Sequence, residues 1–131
     1  METRRRQRRG EAGLTSTELA VVMPVLIALI LVSFQVALWW HAKQVADAAA
    51  REALDAAQVE TATEAAGEAA ARRFLNVAGN IAAPQVSVTR STDTVTVVVT
   101  GRAPRLLPGF AWAVTARATG PVERFIPEPD R

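Results

Sequence analysis

LAVVMPVLIALILVSFQVALWW, residues 19–40, is the stretch that decides the architecture: 22 residues without an Asp, Glu, Lys or Arg. As an uninterrupted α-helix it extends about 33 Å at 1.5 Å per residue, enough to cross a hydrocarbon core of about 30 Å. A secretory signal peptide has an apolar core of about 7 to 15 residues followed by a small-residue cleavage site. This segment is longer and ends in Trp39-Trp40, followed by His41. The two tryptophans suit the boundary between lipid and water, where an amphipathic ring is favoured, and mark the expected membrane interface.

Working outward to the N-terminus, Arg4, Arg5, Arg6, Arg8 and Arg9 precede the span. Cytoplasmic flanks of membrane spans are enriched in Lys and Arg, so these residues set the topology, with the N-terminus cytoplasmic and the remainder outside. On the far flank Lys43 and Arg51 are offset by Asp47, Glu52 and Asp55. Twin-arginine export is disfavoured, because no apolar pair follows closely in the leader. The leader carries five of the fifteen basic residues and two of the thirteen acids, so residues 14–131 hold ten positive and eleven negative charges. The sequence pI of about 10.4 therefore belongs to the leader. With no second basic patch interleaved with aromatics, a nucleic-acid partner is not expected.

Between the arginines and the span stand Gly13 and, as the fifth residue after it, Glu18. A carboxylate at the threshold of hydrocarbon is costly unless it is paired, protonated or able to reach the interface, which makes it a functional candidate. Thr15-Ser16-Thr17-Glu18 also fits a capping box with Thr15 as N-cap. Pro24 has two readings as well. Proline costs about 3 kcal/mol in a soluble helix interior but is tolerated in membrane helices, as a plain kink or with a role in assembly.

The order basic leader, glycine, four residues, glutamate, apolar helix resembles the type IV prepilin (class III) signal. The string TELAVVMPVL, residues 17–26, resembles the start of TadE-like proteins, minor pilin-like components of tight-adherence (Tad/Flp) pilus assembly systems. The resemblance implies cleavage by a prepilin peptidase between Gly13 and Leu14, leaving Leu14 at the new N-terminus, where pilins often have Phe or Met. Gly10 does not compete, since the fifth residue after it is Thr15. Glu18 would then serve peptidase recognition and assembly, pairing with the α-amine of a neighbouring subunit and offsetting the burial of both charges. The implied partners are the membrane, the prepilin peptidase, other pilin-like subunits and the pilus assembly platform. The implied place is the cytoplasmic membrane, single pass, in or at the base of a pilus. An unprocessed signal-anchored envelope protein displaying a small interaction domain is the alternative.

After the span the chain reads as α+β. The expected divisions are a basic leader at 1–13, a transmembrane helix at 14–41, an alanine-rich helical region at 42–80, a small β-rich domain at 81–126 and a disordered tail at 127–131. Alanine-rich sequence without proline from Ala42 to Ala78 favours helix, continuing the span outward as a stalk. The alanines reflect either helix propensity or close helix approach. Pairs four apart, Asp47/Arg51, Arg51/Asp55 and Glu68/Arg72, support an exposed face. β-Branched residues near Val59 to Thr63, with a second capping box from Thr61 to Glu64, predict a break, and Gly79-Asn80 a stop. Alternation predicts strands over 85–90, 94–100 and 112–119, with Ser91-Thr92-Asp93 linking a hairpin and 101–109 forming a loop. About three strands in an antiparallel sheet, packed on the long N-terminal helix, match the pilin-like resemblance.

Residues 42–131 number 90, near the size at which one core is marginal, and no cysteine is present to brace them. The apolar residues available are Phe74, Leu75, Val86, Val88, Val95, Val97, Val99, Leu106, Leu107, Phe110, Trp112, Val114, Phe125 and Ile126. His41 is the only histidine, so neither a metal site nor any other cofactor site is expected. There is no phosphate loop, nucleophile elbow or paired-carboxylate pattern, so neither catalysis nor a small-molecule substrate is expected.

Overall fold

The computed structural model describes residues 2–106, 108–109 and 112–123, with side chains described from Glu18 onward. The side chains of the arginine leader and of Leu14, the expected core residues Leu107, Phe110, Phe125 and Ile126, and the tail at 127–131 lie outside the described residues. The chain divides into two compact units, Met1–Val36 and Ala37–Arg131.

Helix α1 (Glu2–Gln58) supplies all of the described part of the first unit and continues into the second. Pro24 lies inside it without interrupting the helix, and its missing N–H leaves the carbonyl of Ala20 without the usual donor. The hydroxyl of Ser33 donates to the Leu29 carbonyl at 2.8 Å, so a polar group in the apolar stretch is satisfied within its own helix. Because the helix begins at Glu2, Thr15 lies within its backbone rather than at its start; the side chain of Thr15 lies outside the described residues.

In the second unit, α1 is followed by α2 (Glu64–Ala78) and three strands, β1 (Ala82–Arg90), β2 (Thr94–Arg102) and β3 (Ala113–Pro121). The strands form an antiparallel sheet in the order β1-β2-β3, the expected α+β arrangement. Every second residue of β2 from Val95 to Val99 points inward: Val95, Val97 and Val99 are each fully buried, and each such side chain contributes roughly 1.5–3 kcal/mol. Val86 and Val88 of β1 and Val114 and Ala116 of β3 complete the inner face. Against it lies the alanine face of α1, with Ala42, Ala46, Ala49, Ala50, Ala53 and Ala57 all buried. The helical continuation expected as a stalk is thus part of the core, and its alanines hold the close-approach role. Leu106, among the expected core residues, is instead 51 % exposed.

The break falls where expected, but its cap is Thr63 rather than Thr61. The Thr63 hydroxyl accepts the Ala66 N–H at 3.2 Å, one of the orphan donors of the first turn of α2. Gly67 brings α2 close to α1: a Cβ there would lie 2.9 Å from the Ala53 carbonyl and 3.0 Å from the Ala57 Cβ. At the other end Gly79, with φ 61°, donates its N–H to the Leu75 carbonyl at 2.9 Å, the left-handed stop that glycine adopts without a Cβ penalty. Glu68 and Arg72 approach to 3.6 Å as the spacing predicts, whereas Asp47 pairs at 2.7 Å with Lys43 and not with Arg51.

β1 begins three residues before the predicted start, at Ala82, and carries an irregularity between Ala82 and Gln85 that contains Ala83 at φ 49° and Pro84. A bulge and a proline disrupt the ladder edge there, a common way to blunt an edge strand. Clean alternation is legible only from Gln85 onward for the same reason.

Candidate membrane anchor and assembly site

Gly13 and Leu14 lie in the helical backbone of α1, five and four residues ahead of Glu18. Glu18 is exposed, and among the described residues no cation pairs with it. Beyond it the segment turns large apolar side chains outward on all sides: Leu19 is 59 %, Val21 66 % and Phe34 59 % exposed. The core helix of a soluble protein buries such residues; here they need an apolar surround, and the helix is long and apolar enough to cross a bilayer.

At the outer end of the segment Gln35 is 2 % exposed, the only buried polar residue among those described, and no buried side-chain nitrogen or oxygen there lacks a partner. The adjoining turn holds the tryptophans in different environments. Trp39 is half-buried, donates from Nε1 to the Ala113 carbonyl at 3.3 Å, and meets Trp112 edge-on with ring centroids 6.1 Å apart. Trp40 is 60 % exposed. Trp39 therefore ties the beginning of β3 to the helix, and Trp40 is left to face the surroundings. His41 is exposed, and among the described residues no group of three or more His, Cys, Asp and Glu could hold a metal ion.

Arg90 is the residue that sequence reasoning passed over. From the last position of β1 its guanidinium donates to the carbonyl of Ala57, to that of Val59 at 2.8 Å and to that of Glu60 at 2.8 Å. Its backbone N–H donates to Glu64 Oε1 at 2.7 Å, and Gln58 accepts from the Glu123 N–H at 2.9 Å. The carbonyls at the end of α1 are orphans of the helix, and a cation there also complements the helix dipole. The anchor helix is thereby fastened to the sheet at the end far from Trp39. An arginine closing a strand carries no local signal for this, because its acceptors lie about thirty residues earlier in the chain.

No curated protein and no solved structure matches the chain. A family model described as TadE-like protein matches residues 13–55, from Gly13 through the apolar segment into the buried alanine face. Over that segment, which holds Glu18, Pro24 and the paired tryptophans, the chain is similar to TadE-like proteins.

Proposed function

We propose that this protein is a noncatalytic, minor pilin-like subunit of a Tad/Flp-type pilus assembly or related secretion system. It is anchored by α1 in the cytoplasmic membrane with its arginine leader inside and its sheet outside. The observation that carries this reading is the TadE-like match beginning at Gly13 and continuing through an apolar helix whose large side chains face outward. A prepilin peptidase cuts between Gly13 and Leu14, and Glu18 then pairs with the free amine of a neighbouring subunit, which offsets the cost of a carboxylate at the membrane threshold. Other pilin-like subunits and the assembly platform are its partners. The second reading is an unprocessed anchor that displays its outer domain, and the unbroken helical backbone across Gly13 and Leu14 is the observation on its side.

Intact mass of the protein from its native host tests the proposal. The expected species starts at Leu14, and Gly13→Val restores the uncut chain. A mass showing only the full-length protein overturns processing. In the cut protein Glu18→Gln keeps length and polarity but removes the charge, so membrane insertion persists while crosslinking between subunits and piliation fall. Normal crosslinking and piliation with Gln at 18 would remove the charge from the assembly role.

A further inference from the structure

We propose that the end of the sheet where β2 passes to β3, at Arg102, Arg105 and Leu106, is a second membrane contact that binds anionic phospholipid headgroups. The inference rests on the reading that residues 19–40 span the membrane. Trp39, three residues past Val36, is held to β3 by its hydrogen bond to the Ala113 carbonyl and its edge contact with Trp112. Arg102 of β2 stands directly opposite Ala113 in the ladder, and the Ala103 N–H closes the loop on the Trp112 carbonyl at 3.0 Å. Arg105 and Leu106 lie within that closed loop. The end of the sheet carrying these residues is therefore the end at which α1 enters the second unit.

Their chemistry suits a headgroup layer. Leu106 is 51 % exposed and Trp40 60 % exposed, and Arg102 and Arg105 are exposed as well. A guanidinium makes bidentate bonds to phosphate, and an apolar side chain next to it gains by entering the acyl boundary. From Thr94 to Val122 the chain has three arginines, Arg102, Arg105 and Arg117, and no Asp or Glu. Four acids lie at the opposite end of the unit, while Asp47, Glu52, Asp55 and Glu68 lie along the two helices. Glu60 and Glu64 flank the turn between the helices, Asp93 lies in the β1–β2 link and accepts from Val122, and Glu123 follows β3. Arg90 at that end is occupied by the carbonyls of α1. With Arg102 and Arg105 at one end of the sheet and these four acids at the other, the arginine end is the one suited to an anionic surface.

The chain has no cysteine, so single labels report without ambiguity. Full-length protein carrying Leu106→Cys, or Thr61→Cys at the far end, is labelled with an environment-sensitive fluorophore. Both are placed in lipid nanodiscs of phosphatidylglycerol with phosphatidylcholine, or of phosphatidylcholine alone; nanodiscs leave both bilayer faces accessible. In the anionic discs the label at 106 should resist aqueous iodide and be quenched by a nitroxide on the lipid, while the label at 61 behaves in the opposite way. Arg102→Gln with Arg105→Gln should reduce the docked-to-undocked ratio roughly fivefold per arginine, the equivalent of about 1 kcal/mol for each basic side chain at an anionic surface. Equal iodide access at 106 and 61 overturns the proposal. Shielding at 106 from both iodide and lipid nitroxide also overturns it, in favour of a protein neighbour. Extraction of the unsubstituted chain from membranes by alkaline wash would instead refute the spanning reading, and this contact with it; resistance to the wash leaves the iodide result to judge the loop alone.

Discussion

From Leu19 to Val36 helix α1 carries its large side chains outside, whereas from Ala42 to Ala57 its buried positions are held by alanine, with Val45 the one larger residue. Within one element, then, side-chain size and burial run in opposite directions. The difference is a difference of surroundings. Lipid surrounds a span on every side and rewards apolar area wherever it points. A three-stranded sheet covers one face only, and small side chains there let backbone approach valines closely enough to exclude voids.

The largest expected effect breaks the first half of that comparison. Leu29→Arg puts a charge near the middle of the apolar stretch, at a cost of about 2.5–3.5 kcal/mol on insertion scales, and should shift the protein from the membrane to the alkali-extractable fraction. Arg at the exposed position 65 of α2 should change neither insertion nor stability by more than about 0.5 kcal/mol.

Ala49→Leu attacks the second half. It adds a large side chain to a fully buried position and should destabilise the second unit by about 1–3 kcal/mol, read as a lower thermal midpoint by near-ultraviolet circular dichroism in detergent. Leu26→Ala, a change of the same kind in reverse, should leave that midpoint unmoved, since Leu26 is 48 % exposed and belongs to no core. A midpoint that falls equally for both would mean the two halves are packed alike.

Arg90→Met sharpens the comparison by asking what fastens the helix to the sheet. It keeps the apolar stem but strips three carbonyl partners, and should cost about 1.5–3 kcal/mol in the same melt without affecting membrane insertion. The smallest effect is expected at Thr63→Ala, which removes the cap of α2 for about 1 kcal/mol. Thr61→Ala should be silent, separating the two candidate caps.

How far this was legible in sequence depends on the range of the forces involved. The span, the strands' inward valines, the helix break and the stop at Gly79 are local patterns. Apolar length, period-two alternation and a residue tolerant of positive φ act over a few neighbours, and each can be read where it stands. The cap was misplaced by two residues because Thr61 and Thr63 both carry a hydroxyl, and only the chain's path shows which one meets the Ala66 N–H. Glu64, expected to reach back to a cap, accepts from Arg90 instead, since the sheet brings a competing donor to it.

The sequence by itself determined that residues 19–40 form an apolar helix long enough to span a bilayer, that α precedes β beyond it, and that Gly13 stands five residues ahead of Glu18 at its threshold. Only the tertiary structure decided that the alanines form a core face, that Arg90 closes the end of α1, that Asp47 turns to Lys43, and that Trp39 meets Trp112 at the entry to β3. Those contacts link positions far apart along the chain or choose between equivalent neighbours. Their strength depends on which groups arrive within hydrogen-bonding or packing distance, a quantity that no local window contains.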